Sequence, residues 1–150
     1  MMNTVDEILE FKGREVWTIV ASQSVLEATA LMETKAAGTL AVSPDGSELV
    51  GIISERDCAR AVILRNMPAG ETAVSEVMTK NVISVSPDDN VERCVALMTE
   101  YKIRHLPVVS GAKLVGMISG SDLMKFVVKV QSEEIETLEN YIQDDEGGEG

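Results

Sequence analysis

Apolar residues alternate between two periods along the first half of the chain. Residues at helical spacing follow Ser24, a residue type that begins helices: Val25, Ala28, Leu31 and Met32. Short apolar runs that favour β-strands lie on both sides of this helix, at residues 17–20, 39–42 and 49–53. A further helix is predicted after Ser54. The pattern therefore predicts a unit with the order β-α-β-β-α.

The second half of the chain repeats this pattern. The helical residues Val25 and Val91 are 91 − 25 = 66 positions apart, and the strand residues Leu49 and Leu114 are 114 − 49 = 65 positions apart. The second unit predicts strands at residues 82–85, 105–109 and 114–118, and helices that begin after Asn90 and Ser119. Two copies are too few for a solenoid. We therefore expect an α/β (α+β) fold in which two β-α-β-β-α units pack with pseudo-twofold symmetry.

The repeat also predicts the domain boundaries. Unit 1 spans residues 1–66 and unit 2 spans residues 67–130, each with a lead-in helix. Residues 131–150 are expected to form a C-terminal helix extension, which ends near Gln143, and a disordered acidic tail. An apolar stripe continues into this extension: Phe126, Val130, Ile135, Leu138 and Ile142. A stripe that outlasts its own unit needs cover, which favours a homodimer; the alternative is that the helix folds back on its own chain.

Composition narrows the classes of function. The chain has 150 residues, with 45% hydrophobic and 25% charged, as in an ordinary globular domain. A net charge of −12 and an aromatic content of 3% argue against binding to nucleic acid. No apolar run reaches the roughly 18 residues of a membrane span, and no export pattern precedes the first unit, so a cytoplasmic location is expected. Two cysteines and one histidine, in no ligand spacing, predict no metal site.

The sharpest motif is Gly-x-x-Ser-x-x-Asp, which occurs at residues 51–57 and again at residues 116–122. In both copies it joins a predicted strand to a predicted helix. One interpretation is a capping box, in which Ser and Asp satisfy the first turn of the helix. The other interpretation uses the same geometry for a ligand. A helix N-terminus suits a phosphate, and a carboxylate one turn further along accepts the hydroxyls of a ribose.

With these motifs, the segments 54–57, 77–84 and 104–108 resemble a tandem cystathionine-β-synthase (CBS) domain pair. The resemblance covers about residues 4 to 130 and is similar to the small stand-alone CBS-pair proteins. It implies a regulatory module with up to two clefts for an adenine nucleotide. AMP is the first expectation, with ATP, ADP and NADH as further ones. It also implies a homodimer and a regulated partner protein that the sequence does not identify.

The resemblance implies a role for particular residues of this chain. Asp57 and Asp122 would hold ribose hydroxyls, beside Ser54 and Ser119. The first strands would bracket the adenine with Thr18, Ile19, Val20, Ser84, Val85 and Ser86, and the apolar walls would be Ile53 and Ile118. The starts of the middle strands would complete the clefts with Gly38 and Thr39 in unit 1 and with Arg104, His105, Leu106 and Pro107 in unit 2.

The two copies differ in the basic residues that could bind a phosphate group. Unit 1 offers Arg56, and unit 2 offers Arg104 and His105, so we expect inequivalent clefts and favour the one in unit 2. Each residue also has a simpler interpretation. Arg56 solvates a helix start, His105 is a packed strand residue, and Trp17 either fills space or edges the adenine slot.

Three classes of function follow from these observations. The first is a nucleotide-sensing module, and the second is a structural or adaptor homodimer with vestigial sites. The third, an enzyme, has the least support, because the sequence offers no nucleophile–base pair and no glycine-rich dinucleotide loop. We therefore expect no catalytic activity.

Overall fold

The computed structural model describes the backbone of residues 3–149 and the side chains of residues 3–142. The helices are α1 (Val5–Lys12), α2 (Val25–Lys35), α3 (Glu55–Ala59), α4 (Val74–Val77), α5 (Val91–Tyr101) and α6 (Gly120–Glu149). A π-helical turn, Arg60–Leu64, continues α3. The strands are β1 (Thr18–Ile19), β2 (Thr39–Val42), β3 (Gly51–Ser54), β4 (His105–Ser110) and β5 (Lys113–Ser119). The predicted mixed fold of two similar units with a C-terminal helix is confirmed.

The two units contain similar small sheets. In unit 1 the strand order is β1-β2-β3, with β1 parallel and β3 antiparallel to β2. In unit 2, β4 and β5 form an antiparallel pair in which His105 lies opposite Ser119. In unit 1 the corresponding pair is Thr39 and Ser54. The pair β2–β3 in unit 1 and the pair β4–β5 in unit 2 therefore have the same register at the end from which α3 and α6 begin.

The strand predicted at residues 82–85 is wrong. Only Val85 pairs with β4, through an isolated parallel bridge to Val108. In unit 1 the corresponding ladder begins with a hydrogen bond from the Ala41 N–H to the Trp17 carbonyl, 3.1 Å long. The residue 66 positions after Ala41 is Pro107, which has no N–H to donate. The parallel pairing in unit 2 therefore lacks this hydrogen bond and consists of the single bridge between Val85 and Val108.

The predicted helix starts at Ser24 and Asn90 are confirmed. The Ser24 hydroxyl accepts a hydrogen bond from the Glu27 N–H at 3.0 Å, and the Asn90 side chain accepts one from the Arg93 N–H at 2.9 Å. Each cap satisfies a backbone donor that the helix cannot satisfy itself and contributes about 1 kcal/mol. Val25, Ala28 and Met32 of α2 then pack in the core of unit 1, and Cys94 and Leu97 of α5 pack in the core of unit 2.

The lead-in helices are exchanged between the units. The buried residues of α1 belong to the core of unit 2, with Leu106, Ile118 and Phe126. Val74 of α4 belongs instead to the core of unit 1, with Met32 and Leu40. Each lead-in helix therefore packs on the other unit, not on the unit that it precedes in the sequence. Removing α1 would expose the core of unit 2, and removing α4 would expose the core of unit 1.

Gly51 and Gly116 allow this exchange. A Cβ at Gly116 would lie 2.7 Å from Leu9 Cδ2 of α1, and a Cβ at Gly51 would lie 2.6 Å from Met78 Sδ at the end of α4. Neither separation leaves room for a methyl group. The first residue of the duplicated motif is therefore a glycine because a lead-in segment packs directly on the strand.

The helix α6 has two parts with different surroundings. Phe126 is buried and stacks edge-to-face on Phe11 of α1, and Val130 packs against the same core. Ile135, Leu138 and Ile142 are 57%, 63% and 55% exposed, so the helix does not fold back to cover them. The backbone stays helical to Glu149, beyond the predicted end near Gln143. None of the helices described here is long and apolar enough to cross a membrane.

Candidate functional site

A cavity of about 260 Å³ lies between the two units, beside the start of α6. Unit 1 contributes the segment that joins α1 to β1 and the residues that lead into β2. Unit 2 contributes the starts of β4 and α6 and the end of β5. The lining residues are Lys12, Glu15, Val16, Trp17, Ala36, Ala37, Gly38, Thr39, His105, Met117, Ser119 and Asp122.

Both Ser-x-x-Asp motifs form capping boxes. The Ser119 N–H donates to Asp122 Oδ2 at 2.9 Å, and the Asp122 N–H donates to the Ser119 hydroxyl at 3.0 Å. Ser54 and Asp57 make the same two hydrogen bonds at 2.9 and 3.2 Å. The capping interpretation is therefore confirmed for both copies. The box also holds each carboxylate in a fixed position at the first turn of a helix.

Asp122 is also paired with a cation. Lys12 Nζ, at the end of α1, lies 2.9 Å from Asp122 Oδ2 and donates a second hydrogen bond to the Met117 carbonyl. Partial burial acts to raise the pKa of the Asp122 carboxyl, but the hydrogen bonds from Ser119 and Lys12 outweigh it and lower that pKa. The carboxyl is therefore ionised at neutral pH.

Thr39 and His105 are in contact in the lining of the cavity. The Thr39 hydroxyl and His105 Nδ1 are 3.0 Å apart, and the two residues are separated by 66 positions, the offset of the repeat. Thr39 therefore begins β2 of unit 1, and His105 begins the equivalent strand, β4, of unit 2. The two residues are in contact across the pseudo-twofold axis that relates the units. Burial lowers the pKa of the His105 imidazole, and Lys12 and Arg104 add to this effect against the opposing charge of Asp122. His105 is thus neutral at pH 7.

Trp17 forms an aromatic wall of the same cavity. It is partly exposed and precedes β1 directly. Lys35 Nζ lies 4.5 Å from the centre of its ring, a cation–π contact that holds the indole at the cavity edge. Of the two interpretations of Trp17, the position at the edge of a cleft agrees with the structure.

The cavity combines residues that the sequence assigned to different clefts. Gly38 and Thr39 of unit 1 line it together with His105, Ser119 and Asp122 of unit 2. The structure thus brings these two sets of residues together in one cavity. The reason is the pseudo-twofold packing, which brings the starts of the two middle strands to one point.

The structure places the other predicted site residues elsewhere. Five lie in the cores or in the sheets beneath the cleft: Ile19, Ile53, Val85, Leu106 and Ile118. Thr18 and Val20 follow Trp17, and Pro107 and Ser86 lie along the unit 2 ladder. None of these lines the 260 Å³ cavity. Ser84 lines a different cavity of about 360 Å³, with Glu48 and Lys80.

The predicted arginines lie outside the cavity. Arg104 and Arg56 are exposed, and neither contributes to the lining. Asp57, the counterpart of Asp122, has no ion pair with any described residue. The two motif copies thus differ in their surroundings, because Asp122 is paired with Lys12 and neither arginine lines the cavity.

Sequence reasoning missed Lys12. Its position at the end of a lead-in helix gives no sign of a site, because that helix belongs to unit 1 along the chain and packs on unit 2 in space. One signal was present. Lys12 stands directly before Gly13, which ends α1 with φ +106° and turns the chain towards β1.

The comparisons with known proteins agree with this fold. A family model of the CBS domain matches residues 5–64 and again residues 74–129. These two matches cover more than half of the chain. The chain therefore belongs to the CBS domain family, and its two units form a CBS domain pair.

The similar proteins include both curated relatives and solved structures. A mitochondrial CBS domain-containing protein of Arabidopsis thaliana, CBSX3, is 33% identical over 93% of this chain and 72% of its own. The CBS-domain containing protein ATU1752 from Agrobacterium tumefaciens is 31% identical, with a TM-score of 0.77 over 83% of this chain and 93% of its own. The CBS domain pair of protein MJ0100, in complex with 5′-methylthioadenosine and S-adenosyl-L-methionine, is 26% identical, with a TM-score of 0.76 over 86% and 98%.

Proposed function

We propose that this chain is a regulatory module that binds an adenine nucleotide, with AMP as the first candidate, in the cavity beside Asp122. CBS domain pairs are regulatory modules that bind adenosine compounds, and the neighbour MJ0100 binds two of them. The observation that carries the proposal is the capping box of Ser119 and Asp122. It holds an ionised carboxylate at the wall of a cavity that both units form.

The other walls suit the remaining parts of a nucleoside. The carboxylate of Asp122 accepts hydrogen bonds from the two ribose hydroxyls. The indole of Trp17 offers a flat apolar surface against which an adenine stacks. The neutral ring of His105 and the hydroxyl of Thr39 supply polar groups without adding charge. No step of this recognition needs a metal ion or a catalytic group.

The size of the cavity favours a small nucleotide. Ligand pockets commonly have volumes of roughly 300–1,000 Å³, and this cavity has about 260 Å³. A mononucleotide such as AMP matches this volume better than the longer ATP or NADH. Within the described lining, Lys12 is the one permanent cation, which also favours a ligand with few phosphates.

Binding would act as a signal because the cavity borders both units. A ligand that contacts Trp17 of unit 1 and Asp122 of unit 2 together favours the packing in which both residues line one cavity. This population shift would be transmitted to a regulated protein, whose identity the chain does not specify. The cytoplasmic location stays a prediction.

Thermal unfolding tests the proposal. AMP is expected to raise the melting temperature of the wild type, because a ligand that binds the native state stabilises it. Asp122→Ala should abolish this rise, and Asp57→Ala should retain most of it. Asp88→Ala is the matched control, because Asp88 is an exposed aspartate outside the cavity. If AMP stabilises the Asp122→Ala variant as well as the wild type, the site is wrongly placed.

We also propose that the chain forms a homodimer. The exposed Ile135, Leu138 and Ile142 support this, because each lies on one face of α6 and none is covered within the single chain. An adaptor homodimer with a vestigial site is the second candidate function. It is favoured by the ion pair with Lys12, which already occupies one oxygen of Asp122.

A further inference from the structure

One oxygen of the Asp122 carboxylate is already fully used. Oδ2 accepts hydrogen bonds from the Ser119 N–H and from Lys12 Nζ, both at 2.9 Å. A carboxylate oxygen has two lone pairs, so Oδ2 has no capacity for a further donor. The other oxygen, Oδ1, is not the acceptor in either of these two contacts. In the present state Asp122 can thus accept one ribose hydroxyl fully, but not two.

A ribose presents two neighbouring hydroxyls and binds most strongly when each meets its own carboxylate oxygen. The Ser119 N–H cannot leave Oδ2, because it belongs to the capping box that begins α6. Lys12 can leave, because it is tied to the site by one flexible side chain at the end of α1. Bidentate binding of the ribose therefore displaces the ammonium group from Asp122.

The displaced ammonium group would need another anion. Glu15 also lines the cavity, but it is not among the ion-pair partners of Lys12 in the described part of the chain. Arg56 and Arg104 lie outside the lining. Within the lining, Lys12 is consequently the permanent cation beside the ribose held at Asp122, whereas Lys35 lies over the Trp17 ring at the cavity edge. A phosphate attached to the ribose would supply the negative charge that Lys12 loses.

We propose that Lys12 is the residue that selects a phosphorylated ligand, by moving from Asp122 to the nucleotide phosphate when the ribose binds. This inference rests on the proposed function and specifies its ligand class, a nucleoside phosphate rather than a nucleoside. Adenosine binding breaks the Lys12–Asp122 ion pair and offers the Lys12 ammonium no other anion. AMP breaks the same pair and replaces it with an ammonium–phosphate contact.

Titration calorimetry with AMP and with adenosine tests the proposal. The wild type should bind AMP more tightly than adenosine by about tenfold or more, the scale of one hydrogen bond between charged groups. In Lys12→Gln, which removes the charge and keeps a donor for the Met117 carbonyl, the preference should fall to roughly threefold or less. Adenosine should bind this variant at least as tightly as the wild type, because no ion pair competes for Asp122.

Lys125→Met is the matched control, because Lys125 is an exposed lysine of α6 outside the cavity. It should keep the full preference for AMP. An unchanged preference in Lys12→Gln would overturn the proposal, and so would equal affinities of the wild type for AMP and adenosine, a result that needs no variant. If neither compound binds the wild type, the proposed function itself fails, which separates the two outcomes.

Discussion

At the scale of single residues, the duplicated motif contains groups with different tasks. Gly51 and Gly116 make room for the exchanged lead-in segments, and Ser119 with Asp122 begins a helix and faces the cavity. The sequence shows that both copies share glycine, serine and aspartate. The sequence does not show whether each residue of the motif serves packing or ligand binding. A glycine that leaves space for a ligand has the same sequence signal as a glycine that leaves space for a leucine side chain.

Gly116→Ala should destabilise the fold. The new methyl group would lie 2.7 Å from Leu9 Cδ2, and Leu9 is fully buried, so a lead-in helix must shift. Overpacking of this kind costs about 1–3 kcal/mol, measured as a change in the free energy of unfolding in urea. Gly70→Ala is the control, because its nearest neighbour, Leu26 Cδ2, is at 3.9 Å. Equal stabilities of the two variants would show that α1 does not pack on β5 as described.

His105 should make stability depend on pH. Its pKa is lowered in the folded chain by burial and by the charges of Lys12 and Arg104. The unfolded chain therefore binds a proton first as pH falls, and stability decreases as the pH falls through the range around the ordinary imidazole pKa of about 6.5 and below it. His105 is the one histidine of the sequence, so this change can be assigned to it.

Urea unfolding at several pH values measures this effect. The midpoint of the wild type is expected to fall over that range, and His105→Gln should flatten the profile while keeping a partner for the Thr39 hydroxyl. A wild-type midpoint that stays constant, or rises on acidification, would contradict the burial of a neutral imidazole at this position.

At the scale of elements, local patterns predict most helices and strands but not their partners. Ser24, Asn90 and the helical spacing after them identify α2 and α5, because these signals act within one turn. The run at residues 82–85 fails as a strand because its partner carries Pro107, a property of another segment. The exchange of α1 and α4 has no local signal, since an apolar face shows that a helix is buried but not against which unit.

The exposed part of α6 predicts a dimer that depends on it. Ile135, Leu138 and Ile142 share one face and are all exposed in the single chain, and burying each contributes roughly 1.5–3 kcal/mol. Leu138→Gln should therefore weaken association, as light scattering at micromolar concentration would show. Glu136→Gln, on the same helix, should have no such effect. A wild type that is monomeric, or a Leu138→Gln variant with unchanged association, would exclude this interface.

At the scale of the whole molecule, the site exists because two copies of one unit face each other. The sequence predicts the repeat, the fold and five lining residues of the cavity, since these follow from motifs that recur. It cannot predict that Thr39 meets His105, or that Lys12 reaches Asp122, because both contacts cross between units. The site is thus a property of the packing of the pair, and neither unit contains it alone.

The central claim is that an adenine nucleotide binds in this cavity, and Trp17 reports on it directly. Trp17 is the only tryptophan of the sequence and lines the cavity together with Asp122. Titration with AMP should change its fluorescence saturably in the wild type and in Asp88→Ala, but not in Asp122→Ala. AMP that binds by equilibrium dialysis without changing the Trp17 emission, or that fails to bind at all, would contradict the account.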